Sequence, residues 1–227
     1  MGAAIAAAAD PGGDVSITAL VGPQAPEWES GISWFFTLSD LPELPDLLID
    51  FTLPEGTAAA ATWCAASKVA LLSGVTGLPP AVLEKLHFAA REVPVLWSPN
   101  LSLGVNLLAD LAGRAASVLD QTCPVAIEDI HHQWKKDAPS GTALMIGERI
   151  AQERSGDDSA IDYSSVREGE VIGEHRVTFK MAGEEFDLVH RAHDRNIYAR
   201  GALDAGAWLT SQPPGFYSAR DWLSGHP

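Results

Sequence analysis

Along the first hundred residues, short apolar runs alternate with longer stretches in which apolar residues recur at helical spacing. The runs are Val15–Val21, Leu47–Phe51, Val69–Ser73 and Val93–Trp97, short and rich in aliphatic residues as strands buried on both faces are. Between them, Glu55–Ala66 follows Pro54 and Ala81–Arg91 follows Pro79-Pro80, and a proline at the first turn marks a helix start. Strand and helix in alternation predict βαβ units around a parallel sheet. The opening Met1–Ala9 carries small residues but no basic head, and reads as a helix and not as an export signal.

After residue 102 the pattern changes. Leu103–Leu119 predicts a helix, Val125–Ile130 a strand, and Ser140–Arg154 a second helix with Leu144, Gly147 and Ile150 or Ala151 along one face. Val171–Met181 then alternates, with His175, Val177, Phe179 and Met181 on one side and Glu174, Arg176, Thr178 and Lys180 on the other. Ala182-Gly183 forms a turn and Phe186, Leu188 and His190 continue the alternation, so this region predicts an antiparallel hairpin. Arg195–Thr210 reads as a closing helix. Beyond Pro213-Pro214 a short segment, Ala219–Leu223, is expected to pack back on the first domain.

Composition narrows the function classes. Of 227 residues 46% are apolar, enough for a sizeable core, so a disordered or fibrous chain is excluded. Acidic residues number 30 against 15 basic ones, and a formal charge of −15 repels phosphate backbones and anionic lipid alike. Nucleic acid and membrane are therefore not expected as partners. Cys64 and Cys123 stand far apart without metal-ligand spacing, which suits two reduced, buried thiols. No apolar stretch is long enough to span a bilayer, and a cytoplasmic location is expected. Asp157-Asp158 reads as a solvated loop.

Candidate chemistry lies in four places. The loops Asp50–Pro54, Gly74–Gly77 and Ser98–Leu101 follow predicted parallel strands, at the carboxyl ends where open α/β sheets bind ligands. Each alone is an ordinary strand-helix turn; together they point to a nucleotide site. The fourth is the block Asp129–Ala143. It runs from a strand into a helix and brings His131, His132 and Lys135 beside the free N–H groups of Gly141, Thr142 and Ala143. A helix start with a neighbouring lysine binds a carboxylate, and imidazole donates a proton near neutral pH. A plain helix cap is the simpler reading of Ser140-Gly141-Thr142. A metal at the paired histidines is disfavoured by Lys135 and by the absence of HExxH spacing, so no metal is expected. Trp134 is expected to pack rather than react.

These residues resemble the dihydrodipicolinate reductase family. The match is carried by His131-His132-x-x-Lys135-x-Asp137-Ala138-Pro139-Ser140-Gly141-Thr142-Ala143, Ile49-Asp50-Phe51-Thr52-x-Pro54-Glu55-Gly56 and Asn100-x-Ser102-x-Gly104-Val105-Asn106. Gly173-Glu174-His175, His190-Arg191-Ala192 and Arg195-x-x-x-Ala199-Arg200-Gly201-Ala202 also fit. The resemblance implies an α/β fold: a Rossmann-like parallel-sheet nucleotide domain over 1–102 and 203–227, with an α+β substrate and tetramerisation domain, built on an antiparallel sheet, over 103–202. It implies an NADH- or NADPH-dependent reductase of a small cyclic dicarboxylate, working as a homotetramer in diaminopimelate and lysine biosynthesis. By the family pattern His131 is the proton donor and Lys135 a second donor and charge stabiliser. His132, Gly141 and Thr142 would hold substrate, with Ser140 nearby and Arg195 at the domain hinge. Gly74, Val75 and Thr76, with Ser98, Pro99, Asn100 and Leu101, would contact the cofactor.

The sequence departs from the family in three respects. A strand and glycine-rich turn open the family; here Met1-Gly2 stands where that turn ends, which implies that roughly fifteen residues of the first βα unit are missing. The family's Gly-Thr-Thr-Gly is Gly74-Val75-Thr76-Gly77. After Val15–Val21 comes Gly22-Pro23-Gln24, with no acidic residue for a ribose; yet no Lys or Arg precedes Lys68, so a 2′-phosphate finds no cation there and the balance leans to NADH. An alternative of another class is a non-catalytic remnant that keeps the dicarboxylate pocket but holds no dinucleotide. A metal-dependent hydrolase using His131 and His132 is a remote third.

Overall fold

The computed structural model describes residues 1–9, 13–28, 31–154 and 160–225. Two compact units emerge, one of Met1–Ser102 with Asn196–Pro227, the other of Leu103–Arg195. In chain order the first unit opens with α1 (Gly2–Ala8), β1 (Ala19–Val21), β2 (Ser33–Phe35), β3 (Leu47–Asp50), α2 (Pro54–Ser67), β4 (Ala70–Ser73), α3 (Pro80–Ala89) and β5 (Pro94–Trp97). The second holds α4 (Leu103–Val118), β6 (Val125–His131), α5 (Gly141–Glu153), β7 (Ile161–Arg167), β8 (Gly173–Met181) and β9 (Glu184–Ala192). The chain returns to the first unit with α6 (Asn196–Thr210), β10 (Gly215–Tyr217) and α7 (Ala219–Ser224). Helix α6 thus lies wholly in the first unit, which begins its return at Asn196 and not at 203.

The first unit is Rossmann-like. A four-stranded sheet of order β10-β5-β4-β3 is parallel throughout. Proline at the first turn opens both α2 and α3, and α2 stops where Lys68 turns left-handed at φ 59°. On one side Ala61, Cys64, Leu71, Leu86 and Val95 form the core; on the other Ile5, Leu72, Leu96, Ala202, Leu209 and Trp222 do. Trp222 of α7 is fully buried, so the tail packs on this unit as expected. The predicted strand Val15–Val21 is shorter than its apolar run. Only Ala19–Val21 is extended and paired, and it bonds in parallel to Ser33–Phe35 in a separate two-stranded sheet, a partner that the short run around Trp34 did not disclose.

The second unit is α+β, with sheet order β7-β6-β8-β9. The predicted hairpin is β8 and β9, joined through Gly183 at φ +87°. Strand β7, invisible to the hydrophobic pattern because Asp, Ser and Arg interrupt it, pairs in parallel with β6 and makes the sheet mixed. Helices α4 and α5 cover one face, with Ala112, Ile127, Ile146, Ile150, Val177 and Phe179 at the centre. Full burial of each large side chain there contributes about 1.5–3 kcal/mol. Helix α5 corrects one expectation: Ala143, Ile146, Gly147, Ile150 and Ala151 form its buried face, while Leu144 is 47% exposed. Gly147 is required because a side chain there would collide with the Tyr163 ring. Both cysteines are free and buried. Asp157-Asp158 lies outside the described residues. No helix among the described residues is long and apolar enough to cross a membrane.

Candidate active site

Strand β6 delivers the chemistry. Side chains two apart on a strand share a face, so Asp129 and His131 emerge together, and His131 Nδ1 lies 3.0 Å from Asp129 Oδ1. The parallel register sets Ser165 beside Asp129 and Arg167 beside His131. Arg167 Nη1 donates to Asp129 Oδ1 at 2.7 Å, while Ser165 Oγ at 2.7 Å and the Ser140 amide at 3.1 Å donate to Oδ2. Burial pushes the Asp129 carboxyl up, but hydrogen bonds from Ser165, Ser140 and Arg167 outweigh it and hold the group below its ordinary pKa.

Chain direction reverses after His131. The turn bonds the Lys135 amide to the His132 carbonyl, Arg167 Nη2 donates to the Asp137 carbonyl, and a cis Ala138-Pro139 bond leads to Ser140, the N-cap of α5. Ser140 Oγ accepts from the Ala143 amide at 3.1 Å, with its neighbours Gly141 and Thr142 in the first turn of the helix. Lys135 Nζ bonds Asp137 Oδ1 at 2.9 Å. That ammonium first, and then the backbone amides of Asp137 itself and Gly141, hold the Asp137 carboxyl below its usual range.

Three imidazoles form a row across the sheet. His175 faces His190 on the neighbouring strand, and ring centroids stand 5.1 Å apart for His131 and His175 and 6.3 Å for His175 and His190. His175 is buried, with Nε2 3.4 Å from Ser140 Oγ. Burial first, then Lys135 and Arg167, lower the His131 pKa, although Asp129 opposes them. Burial lowers His190 as well, with His193 adding.

His132 points elsewhere. Its ring tilts at 37° against Trp134, and the two line a cavity of about 210 Å³ with Glu170, Ile172 and Arg195. Trp134 is 63% exposed, because the turn after β6 carries it outward, and the ring that it packs against is that of His132. Among the described residues no group of three or more His, Cys, Asp or Glu side chains is arranged to hold a metal ion.

Of the predicted substrate residues, Ser140, Gly141 and Thr142 lie together at the start of α5, whereas His132 and Arg195 line the separate cavity. Sequence reasoning missed Asp129 and Arg167, whose role rests on register, and Glu170 and Ile172, which lie on a connection without pattern. In the first unit, Gly74, Val75, Thr76 and Ser98 to Leu101 follow β4 and β5, whose register pairs Ser73 with Trp97 and brings both loops out side by side. The Gly74 amide bonds the Asp50 carbonyl, Trp97 Nε1 bonds the Val75 carbonyl, and Ser98 Oγ bonds the Asn100 carbonyl. A side chain at Gly74 would strike the Phe51 ring, so the three strand-end loops pack onto one another at one edge. Thr76 and Pro99 are exposed there and Leu101 is buried. This edge of backbone groups, a hydroxyl and a bare glycine lies at the carboxyl ends of the parallel strands, where open α/β sheets bind ligands.

Comparison with known proteins identifies the family. The model described as "Dihydrodipicolinate reductase, N-terminus" matches residues 1–101, and "Dihydrodipicolinate reductase, C-terminus" matches residues 104–223. The 4-hydroxy-tetrahydrodipicolinate reductase of Stenotrophomonas maltophilia (strain R551-3) is 44% identical over 192 residues, covering 83% of this chain and 78% of that one. Its counterpart from Alkalilimnicola ehrlichii is 37% identical over 239 residues, covering 98% and 90%. Among solved structures, dipicolinate-bound dihydrodipicolinate reductase from Paenisporosarcina sp. TG-14 shares the fold, with a TM-score of 0.78 at 22% identity over 89% of this chain and 87% of that one. With both halves matched, and the histidine–lysine turn set between β6 and α5, the chain belongs to the dihydrodipicolinate reductase family.

Proposed function

We propose that the chain reduces 4-hydroxy-tetrahydrodipicolinate to tetrahydrodipicolinate with NADH or NADPH, a step of diaminopimelate and lysine biosynthesis. One observation carries the reading: the corner formed by Lys135 and the start of α5 already grips a carboxylate, that of Asp137, with an ammonium and a backbone N–H together. A cyclic dicarboxylate meets the same donors. His132, Gly141 and Thr142, with Ser140 beside them and Arg195 at the cavity, would orient it. When bound, the reduced nicotinamide supplies a hydride. Gly74, Val75 and Thr76, with Ser98, Pro99, Asn100 and Leu101, would hold that nucleotide, and the lack of any Lys or Arg before Lys68 favours NADH.

His131 donates the proton and Lys135 stabilises the negative charge that reduction builds on the ring. By itself the protein keeps the His131 imidazole below its ordinary pKa, chiefly by burial. Two incoming carboxylates act in the opposite sense and favour the imidazolium that must donate. A homotetramer is part of the reading, supported by Phe186 and Val189 on edge strand β9, 41% and 37% exposed. A cytoplasmic location goes with the biosynthetic role. The test is loss of NADH and NADPH absorbance when the folded chain meets freshly generated substrate. Turnover supports the reductase, whereas silence with both nucleotides returns the chain to the non-catalytic remnant.

A further inference from the structure

We propose that Asp129 is the positioning residue of His131, fixing the tautomer that carries hydrogen on Nδ1 and so turning Nε2 toward the reacting ring. The choice of Nε2 as the reacting nitrogen rests on the reductase reading; the tautomer does not. Four groups converge on this carboxylate, whose side chain has no solvent exposure: His131 Nδ1 and Arg167 Nη1 at Oδ1, Ser165 Oγ and the Ser140 amide at Oδ2. An ionised carboxylate only accepts, so the imidazole nitrogen beside it must bear the hydrogen. Arg167 and Ser165 keep Asp129 ionised, and their places are set by the β6–β7 register rather than by flexible loops.

The opposite side of the ring is kept open by a glycine. Gly173, on β8, would with a side chain bring Cβ to 3.2 Å from His131 Nε2. One strand therefore anchors Nδ1 while the other clears Nε2. When Nε2 gives up its proton, the ring left behind is already the tautomer that Asp129 holds, and no reorientation is needed before it is protonated again.

The experiment pairs a spectroscopic and a kinetic readout on the full chain. Long-range ¹H–¹⁵N correlations at alkaline pH, with the His131 signal assigned by its loss in His131→Gln, should show hydrogen on Nδ1 in the native chain. In Asp129→Asn the charge that selects hydrogen on Nδ1 is gone, and the form with hydrogen on Nε2, which free imidazole prefers, should gain population. Turnover per folded chain, with the folded fraction fixed by circular dichroism and the urea midpoint, should fall about 100-fold while the substrate KM stays within about threefold. Hydrogen on Nε2 of the native His131 overturns the proposal and needs no variant to fold. So does an Asp129→Asn chain that keeps its turnover. If the native chain is inert toward the substrate while its Nδ1 carries the hydrogen, the reductase reading fails and the Asp129 assignment of the tautomer stands.

Discussion

Lowering the pH from 7 to 5 should weaken the fold through His175. Its imidazole is only 3% exposed, and burial first, then charge on His131 and His190, pushes its pKa down to about 3. Lys135 adds to this and Asp129 opposes it. In an unfolded chain the same group titrates near 6.5. A histidine whose folded pKa lies below its unfolded one costs nothing above about pH 6.5; between there and about pH 3 only the unfolded state takes up the proton, so stability drops as pH falls. At pH 5 that uptake favours unfolding by about 2 kcal/mol, against nearly nothing at pH 7. With a urea dependence of about 2 kcal/mol per molar, the midpoint moves down by about 1 M. Asp129, whose pKa is lowered, loses its contribution only as pH falls below the carboxylate range, outside this window. The assay is urea unfolding followed by tryptophan fluorescence at both pH values, in the native chain and in His175→Gln. His131 and His190, also lowered by burial, act in both chains, so the difference isolates His175. Equal midpoint losses in the two chains would refute the reasoning.

Three further outcomes are expected. His131→Gln should lose about 10²–10⁴ in turnover while fluorescence titration shows unaltered NADH binding, and retained turnover would remove His131 as the donor. Lys135→Ala should lower kcat/KM by about 10²-fold or more, and inhibition by a cyclic dicarboxylate should weaken in parallel; an unchanged efficiency would contradict both roles. Cys64 is buried and its thiol is pushed up to about 12 by burial and by Asp50, so native protein at pH 8 should leave it unlabelled by a thiol reagent, with peptide mass analysis showing modification only after denaturation.

What could be read from sequence followed from what each signal encodes. The β3, β4 and β5 runs and the β8–β9 alternation were legible because burial imposes period and composition on them. Ser140 and the helix behind it were legible because capping is local. Strand β7 was not, since its Asp162 and Ser164 are exposed while Ser165 and Arg167 bond Asp129, and its pairing is a long-range fact. The same reason hid Asp129, a carboxylate beside two histidines whose partners arrive from positions 140, 165 and 167. Trp134 was expected to pack, and its partner, the ring of His132, lies with it along a cavity that the pattern does not disclose.

Asp137 has a thermodynamic consequence for whatever enters this corner. Because its carboxylate already sits on Lys135 and at the amide of Gly141, a carboxylate entering there would not find a bare cation; it would compete with an equivalent anion tethered two residues away. Binding is then an exchange, in which charge pairing is conserved and the net gain comes from the second carboxylate and from the ring. A monocarboxylate that displaced Asp137 would do so for almost no return, while a dicarboxylate would engage a further anchor. Selection for two acidic groups would thus arise from a competitor built into the chain, and added salt, weakening the resident and the incoming pair alike, would change the affinity less than at an exposed lysine.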